Sequence, residues 1–479
     1  MFKNFNSVDT IYKGIEEENQ NSVLPREIET AVIGGGLSGL SVALHLAEHG
    51  REVVVIEAKN IADGPSGRSG GQLWPGFEQS YEEMSKKHGE TLARSVWQMT
   101  HDALRTVHKR AAVRADYCDF KPGVLLTSKT MPQALWVENE FAAMEAAGMD
   151  YVTFLTAEEI SKNYINTDYY LNGMLFMGKE KGQQYGHLNP RKLTQTVAKV
   201  AKNAGARLIE NNPVREVTTL KDGRYRISTQ QGSVIAKNIV MATGVDMLRP
   251  KGIGYDLLPN MHVPVQTVIL ATAPISEKLA REMIPSDVCF FDAASAAMNY
   301  GRLVEDADRP NHFRLTLGGA DALGQLQTAL DIHGIEREMR TIFPQLDREK
   351  IKIEKIWGGK CDLTRNAIPF IINPRKGFYA TGGMSGQGMV NTTLYGGAIA
   401  EAILGEPEKL KTLQMINPEF YVGNSMLFDW MNKTLAWGQA AQKLIPIVYK
   451  SRKEESTAIT LRKARRAKTT SSNMARGVQ

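Results

Sequence analysis

Apolar, β-branched runs punctuate this chain at Ile28 to Ile33, Glu52 to Ile56 and Asn238 to Ala242. Runs of this length and make-up predict parallel strands buried on both faces. Between the first two, Leu40, Ala43, Leu44 and Ala47 fall on one face of a helix predicted from Leu37 to His49, with Gly50 as its stop. The opening of the chain therefore reads as strand, helix, strand.

Further on, Leu92, Val96, Met99, Ala103, Leu104 and Val107 recur at helical spacing and predict a helix from Ser80 to about Arg114. Cys118 to Thr127 reads as a hairpin turning at Pro122-Gly123, and Gln133 to Gly148 as a helix. Residues 151 to 185 mix short strands and turns. Pro190 to Ala204 is a helix opened by Asn189-Pro190. Arg207 to Glu210, Val214 to Leu220, Tyr225 to Thr229 and Ser233 to Ala236 read as strands joined at Asp222-Gly223 and Gln231-Gly232. Residues 261 to 354 add strands and helices near Ser276 to Met283 and Glu336 to Phe343. A last strand, Gly377 to Ala380, precedes a helix from Val390 to Leu404.

The glycines supply the chemistry. Gly34 allows the tight turn out of the first strand, Gly36 lets backbone approach a pyrophosphate, and Gly39 lets the helix pack against the sheet. Glu57, ending the second strand, suits ribose hydroxyls and repels a 2′-phosphate, so NADP is disfavoured. FAD and NAD both remain open on this unit alone. A second glycine turn, Gly382 to Gly388, again precedes a helix and offers amides to an electron-rich group. With a phosphate site already in hand, that group is a flavin ring, which favours FAD.

Composition narrows the class. At 479 residues the chain exceeds one core, so two domains are expected. Three scattered cysteines indicate a reducing compartment, and no signal or membrane-length apolar run is evident, so a cytoplasmic protein is expected. The net charge of +6 sits in the tail: Tyr449 to Gln479 carries nine Lys and Arg against two Glu. That leaves the body near neutral and no case for nucleic-acid binding. No internal repeat, zinc-like Cys/His spacing, GxSxG elbow or Walker lysine occurs.

GGGLSGLSVALHLAEHG with VVVIEA, GPSGRSGGQ, VQTVILATAPISEKLAREMIP, WGGKCDLTRNAIP and GFYATGGMSGQGMVNTTLYGGAIAEAILGE stand in an order that resembles the D-amino-acid-oxidase-like (DAO) family of FAD-dependent amine and amino-acid oxidases. The resemblance covers roughly residues 25 to 425. It implies an α/β fold in which a Rossmann-type FAD-binding domain (28–114, 183–260 and 355–425) is interleaved with an antiparallel-sheet α+β substrate domain (115–182 and 261–354). An N-terminal arm (1–27), a closing amphipathic segment (426–448) and the basic tail (449–479) complete the expected division.

The resemblance also implies site residues. Gly34, Gly36, Leu37, Ser38 and Gly39 meet the pyrophosphate, and Glu57 and Ala58 the adenosine ribose. Val214 frames the adenine, with Thr243 and Gly244 beside the cofactor. Arg68, Ser69, Gly70, Gly71 and Gln72 run along the isoalloxazine. Gly383, Met384, Ser385, Gly386, Gln387 and Gly388 face its pyrimidine edge. This chain has Gln387 where the family commonly has histidine. Cys361 aligns with the cysteine through which the sarcosine-oxidase branch attaches its flavin, so covalent attachment and a buried free thiol are both open.

Flavin oxidation of an amine demands positioning more than acid–base help. Arg68, Gln72, Trp357 and Gln387 are the residues expected at the reacting centre. Trp74 and Tyr300 are further wall candidates, His187 lies at a strand-to-helix junction, and Arg302 and Arg314 are alternative carboxylate clamps. The expected reaction is oxidation of a primary or secondary amine or amino acid, γ-glutamylated amines among them. Hydride passes to flavin N5, the imine hydrolyses, and O2 reoxidises the cofactor to give H2O2. A quinone-linked dehydrogenase at a membrane and a non-catalytic flavoprotein redox sensor or assembly subunit are the alternatives. For residues 426–479 a helix packed on its own domain is favoured over a peripheral membrane contact.

Overall fold

The computed structural model describes residues 10–15, 22–178, 185–246, 250–252, 262–293, 299–323 and 329–418. Strand β1 (Glu27–Ile33), helix α1 (Leu37–Glu48) and strand β2 (Val53–Ile56) form the predicted opening unit. β1 pairs in parallel with β2, and on its other side with β3 (Ser233–Met241), which is one continuous strand where two had been expected. The resulting eight-stranded sheet extends through Tyr225–Thr229 to Val214–Thr219 at one edge and ends on Arg207–Ile209 at the other. Residues Phe378–Gly382 join β3 in parallel, placing the C-terminal ends of β1, β3 and this strand side by side: Ile33 is level with Met241, and Met241 with Ala380. A doubly wound sheet binds its ligand at such an edge.

A nine-stranded, mostly antiparallel sheet forms the second layer. At its edge β4 (Ile353–Leu363) pairs antiparallel with Val263–Thr272 over nearly its whole length. The expected domain boundary at 355 falls inside β4, which belongs to this sheet. Only the pairing with Val263–Thr272 assigns it. The strand Phe370–Arg375 then brings the chain back to the first sheet, pairing antiparallel with Phe378–Gly382.

The Cys118–Thr127 hairpin is not formed. Lys121–Pro122 pairs in a three-stranded sheet with Gly186–His187, while Val124–Ser128 joins the nine-stranded sheet. Gly123 between them has φ 96°, and a Cβ there would lie 2.5 Å from Val288 Cγ1. The turn residues thus pass the chain between sheets. The helix expected from Ser80 to Arg114 is two, Tyr81–His88 and α2 (Glu90–Ala111), divided at Gly89, whose φ of 85° ends one and starts the other.

Helix α1 is buried almost all round, because helices pack on the side away from the sheet. α3 (Pro190–Asn203) lies against it, and α4 (Gly388–Leu404) approaches so closely that a Cβ on Gly396 would sit 2.7 Å from Ser41 Cβ. The buried Arg110 of α2 donates to Ser41 Oγ at 2.9 Å and Thr393 Oγ1 at 3.0 Å, joining three helices through one guanidinium.

The N-terminal arm is more than a surface strap in its described part. Tyr12 is buried, edge-on to Trp357 with ring centroids 5.8 Å apart. Ile15 N–H donates to Gln195 Oε1 at 2.7 Å. Residues 426–448 and 449–479 lie outside the described residues, and so do the expectations about them. Among the described residues, no helix is long and apolar enough to cross a membrane.

Candidate active site

The glycine turn after β1 has the geometry its spacing requires. Gly34 has φ 108°, and a Cβ there would meet Ala242 O at 2.5 Å; one on Gly39 would meet Gly34 O at 2.0 Å. Larger residues therefore break either the turn or its contact with the end of β3. Gly36 is the N-cap of α1 and contributes no side-chain cap. Leu37 N–H is met by Ser66 Oγ at 3.0 Å, so the loop after β2 folds over the helix N-terminus, where Ser38 also lies. Glu57 accepts from Gly35 N–H at 2.7 Å and Lys59 N–H at 2.9 Å, beside the exposed Ala58. Asn212 N–H donates to Glu57 O at 2.9 Å, which brings the segment leading into Val214 to the same end of the sheet.

The strip Arg68 to Gln72 crosses from this turn to the second sheet. Burial lowers the Arg68 pKa, with Asp63 and Arg191 as its charged neighbours, and its Nε is buried with no hydrogen-bond partner among the described residues. Its carbonyl accepts from Trp357 Nε1 at 3.0 Å. Ser69 Oγ contacts Met389 Sδ at 3.2 Å, Gly70 lies under Tyr300, and Gly71, at φ 74°, accepts from Leu188 N–H at 2.9 Å. Gln72 Nε2 donates to Phe290 O at 3.0 Å in the nine-stranded sheet.

The C-terminal turn is held by a residue that pattern reading missed. Asp362, near the end of β4, accepts from Gly383 N–H at 2.6 Å and Met384 N–H at 3.2 Å, while its own carbonyl accepts from Ser385 N–H at 3.0 Å. Gly383 and Gly386 take φ 71° and 95°, and Ser385 is held at φ 51° with its hydroxyl between Gly383 O and Thr364 N–H. Burial pushes Asp362 up and its neighbour His262 down, and each charge opposes the other's displacement. Asp362 lies in the very run quoted for its cysteine, and no periodicity marks it. A Cβ on Gly244 would lie 3.9 Å from Asp362 Oδ2, so the end of β3, with Thr243, adjoins the same turn. Gln387 is the N-cap of α4, and its Nε2 donates to Glu78 Oε2 at 3.2 Å. Glu78 is the second residue that the sequence pattern does not reveal.

Other candidates are committed to the fold. Arg302 is buried and donates to His187 Nδ1 at 2.8 Å and Leu188 O at 2.9 Å, with its guanidinium over the Tyr12 ring. His187 is therefore neutral: burial and Arg302 hold its pKa well below the usual range, and Nε2 donates to Asp287 O at 2.8 Å. Arg314 binds Asp306 and Glu354 at 2.6 and 3.1 Å. Both terminal nitrogens of Arg302 are engaged, with its buried Nε alone lacking a partner among the described residues, and His187 is a structural donor. Trp74 packs on Phe291 and Phe176. Trp357 is wholly buried beside Tyr12, Ile269 and Ala271.

These groups fit FAD. A helix N-terminus approached without a Cβ suits its pyrophosphate, and the unpartnered Arg68 Nε and Thr243 Oγ1 are buried polar atoms in want of a polar ligand. Two glycine turns at the C-terminal edge of a parallel sheet, roofed by a second sheet, define a two-layer dinucleotide-dependent oxidoreductase.

The FAD dependent oxidoreductase (DAO) family model matches residues 29–402, and the chain belongs to that family. It is similar to the probable oxidoreductase OrdL of Haemophilus influenzae, 30% identical over 428 residues (87% of this chain, 94% of that one). It is likewise similar to the γ-glutamylputrescine oxidoreductase of Escherichia coli, 30% identical over 388 residues (80% and 84%). A glycine oxidase structure from Bacillus cereus superposes with a TM-score of 0.63 at 18% identity, covering 83% of this chain and all of that one. The expected family and fold class are thus borne out. The protein is an FAD-dependent oxidoreductase of the amine and amino-acid oxidising group.

Proposed function

We propose that this enzyme oxidises a primary or secondary amine or amino acid, γ-glutamylated amines among them, with O2 as the final acceptor and H2O2 as product. In the same reading the eight-stranded sheet carries FAD and the nine-stranded sheet covers the substrate. The observation that carries it is the joining of the Arg68 to Gln72 strip and the C-terminal glycine turn by a single strand: β4 grips the Arg68 carbonyl through Trp357 and the Gly383–Met384 amides through Asp362. Bound FAD supplies the hydride acceptor for the carbon next to nitrogen. The chain supplies position and dryness. Gly34, Gly36 and Gly39 admit the phosphates, Glu57 takes the ribose, and Arg68 places an unspent donor beside them. The backbone of Arg68 to Gln72 and of Gly383 to Gly388 lines the two sides of the ring, with Gln387 replacing a chargeable histidine by a neutral amide. Trp357 acts through Arg68, and Gln72 acts by tying the strip to Phe290 O.

The flavin is held without a covalent bond in this reading. Burial, with Asp362 adding its charge, pushes the Cys361 thiol up to about 12, far from the thiolate that attachment needs. Acid precipitation is expected to release all flavin into the supernatant. The function is tested by anaerobic titration of the FAD-loaded protein with polyamines, γ-glutamyl amines and amino acids. Bleaching of the flavin by at least one amine, with stoichiometric peroxide in air, is the expected result. Bleaching without peroxide turns the reading to a quinone-linked dehydrogenase, and no bleaching across the panel turns it to a redox sensor.

A further inference from the structure

Tyr300, Cys361 and Glu78 share an unusual setting. Each is enclosed deeply enough for burial to push its pKa up, yet each keeps some accessible surface. Protein surrounds such side chains while one face of each stays open. Two of the three already adjoin the candidate site: Tyr300 covers Gly70, and Cys361 precedes the Asp362 that holds the C-terminal turn. Glu78 joins them through Gln387, whose amide reaches its Oε2 from the same turn.

The local construction aims the Glu78 carboxyl. Asn391 Nδ2 of α4 donates to Gly76 O at 3.2 Å, and Ser80 caps the helix Tyr81–His88 by accepting from Glu83 N–H at 3.1 Å. The backbone on either side of Glu78 is thereby fixed. Gln387 Nε2 occupies one oxygen, and Gln387 Oε1 is itself buried with no partner among the described residues. The desolvated carboxyl has a pKa raised to about 7 by burial, against the opposing Gln387 hydrogen bond. Among the described residues Gln387 Nε2 is the one donor to this half-buried carboxyl, and a cation is the complement its open side can take up.

We propose that Glu78 is the specificity-determining carboxylate of the candidate site, which takes up a cationic nitrogen of the substrate other than the nitrogen being oxidised, while Gln387 holds it in position. This assignment rests on the amine-oxidation reading above and names the charge class that the reading leaves open. Of the arginines offered by the sequence as carboxylate clamps, Arg302 donates to His187 and Leu188, Arg314 is paired with Asp306 and Glu354, and Arg68 is given to the cofactor in the reading above. The wall residues in hand therefore match an alkylammonium better than a carboxylate.

The test uses FAD-loaded full-length protein and tert-butylammonium, which has no hydrogen on the carbon next to nitrogen and cannot be oxidised. Its affinity is read from perturbation of the flavin spectrum in wild type, Glu78→Gln and Glu78→Asp. Wild type is expected to bind it, Glu78→Gln to bind at least about tenfold more weakly at unchanged flavin content, and Glu78→Asp to fall between. For an oxidised amine, Glu78→Gln raises KM by a similar factor and lowers kcat far less. Equal affinity in Glu78→Gln and wild type, or loss of flavin from both variants, overturns the assignment. If no amine bleaches wild-type flavin, the amine-oxidation reading falls and this proposal with it; bleaching of wild type with equal affinities removes this proposal alone.

Discussion

Trp357 Nε1 donates to the carbonyl of Arg68 across 3.0 Å, joining an edge strand of one sheet to a loop that leaves the other. Arg68 has no regular neighbour to satisfy that carbonyl, so the strip toward Gln72 depends on an indole 289 residues away in sequence. Trp357→Phe keeps the buried ring and removes the donor. An orphaned buried acceptor costs about 1–3 kcal/mol. The expected outcome is a lower Tm and a lower ratio of flavin to protein absorbance after dialysis. Full flavin retention at unchanged Tm would count against the strip's dependence on Trp357.

Asp362 performs the corresponding task at the other turn, with two backbone donors on one carboxylate. Asp362→Asn retains one acceptor oxygen and sets an NH2 against an N–H, whereas Asp362→Ala leaves both amides unpaired. Each unpaired buried amide costs about 1–3 kcal/mol. FAD affinity is therefore expected to fall in the order Asp, Asn, Ala, as measured by cofactor titration of apoprotein. Equal affinity across the series would remove Asp362 from the cofactor site.

The part of this architecture legible in the sequence is the part made by local rules. Gly34, Gly36 and Gly39 act within one turn, and β1, β2 and the glycine-stopped α1 announce themselves by composition and period. From there the resemblance extended the expected site by motif order. What stayed hidden depends on pairing between distant segments. Pro122-Gly123 signals a turn, but nothing local says that its two arms enter different sheets. Nor does anything local in β4 reveal that its partner is Val263–Thr272. Gly89 divides a helix because its φ is positive, and a helical period runs through it unbroken. Asp362 and Glu78 are single acids whose meaning comes only from the amides that fold onto them.

Tyr12 makes the arm a structural member. Its ring lies between Trp357 at 5.8 Å and the Arg302 guanidinium at 5.3 Å. Truncating a buried aromatic costs about 3–5 kcal/mol. Tyr12→Ala is expected to unfold at markedly lower denaturant and, by loosening Trp357, to weaken flavin retention as well. A variant with wild-type stability would show that the arm's contacts with Trp357 and Arg302 add nothing to the fold.

Acid sensitivity follows from His101. Its ring packs on Tyr151 at 4.6 Å and Nδ1 accepts from the Tyr185 hydroxyl at 3.2 Å, and burial, with Arg105 nearby, lowers its pKa to about 4. Between the unfolded value of 6.5 and about 4 the unfolded chain binds the proton and the folded chain does not. The stability held above pH 6.5 is therefore lost as pH falls, by up to about 1.4 kcal/mol per unit until the folded pKa is reached. His187, held well below the ordinary histidine range, adds a loss of the same sign that begins in the same region and continues to lower pH. His101→Phe keeps an aromatic ring against Tyr151 and removes the titration, at a pH-independent cost of about 1 kcal/mol for the lost Tyr185 partner. Denaturant melts from pH 8 to pH 4.5 are expected to show the variant less stable than wild type at the top of the range and declining less steeply toward the bottom. Parallel declines would place the acid sensitivity elsewhere.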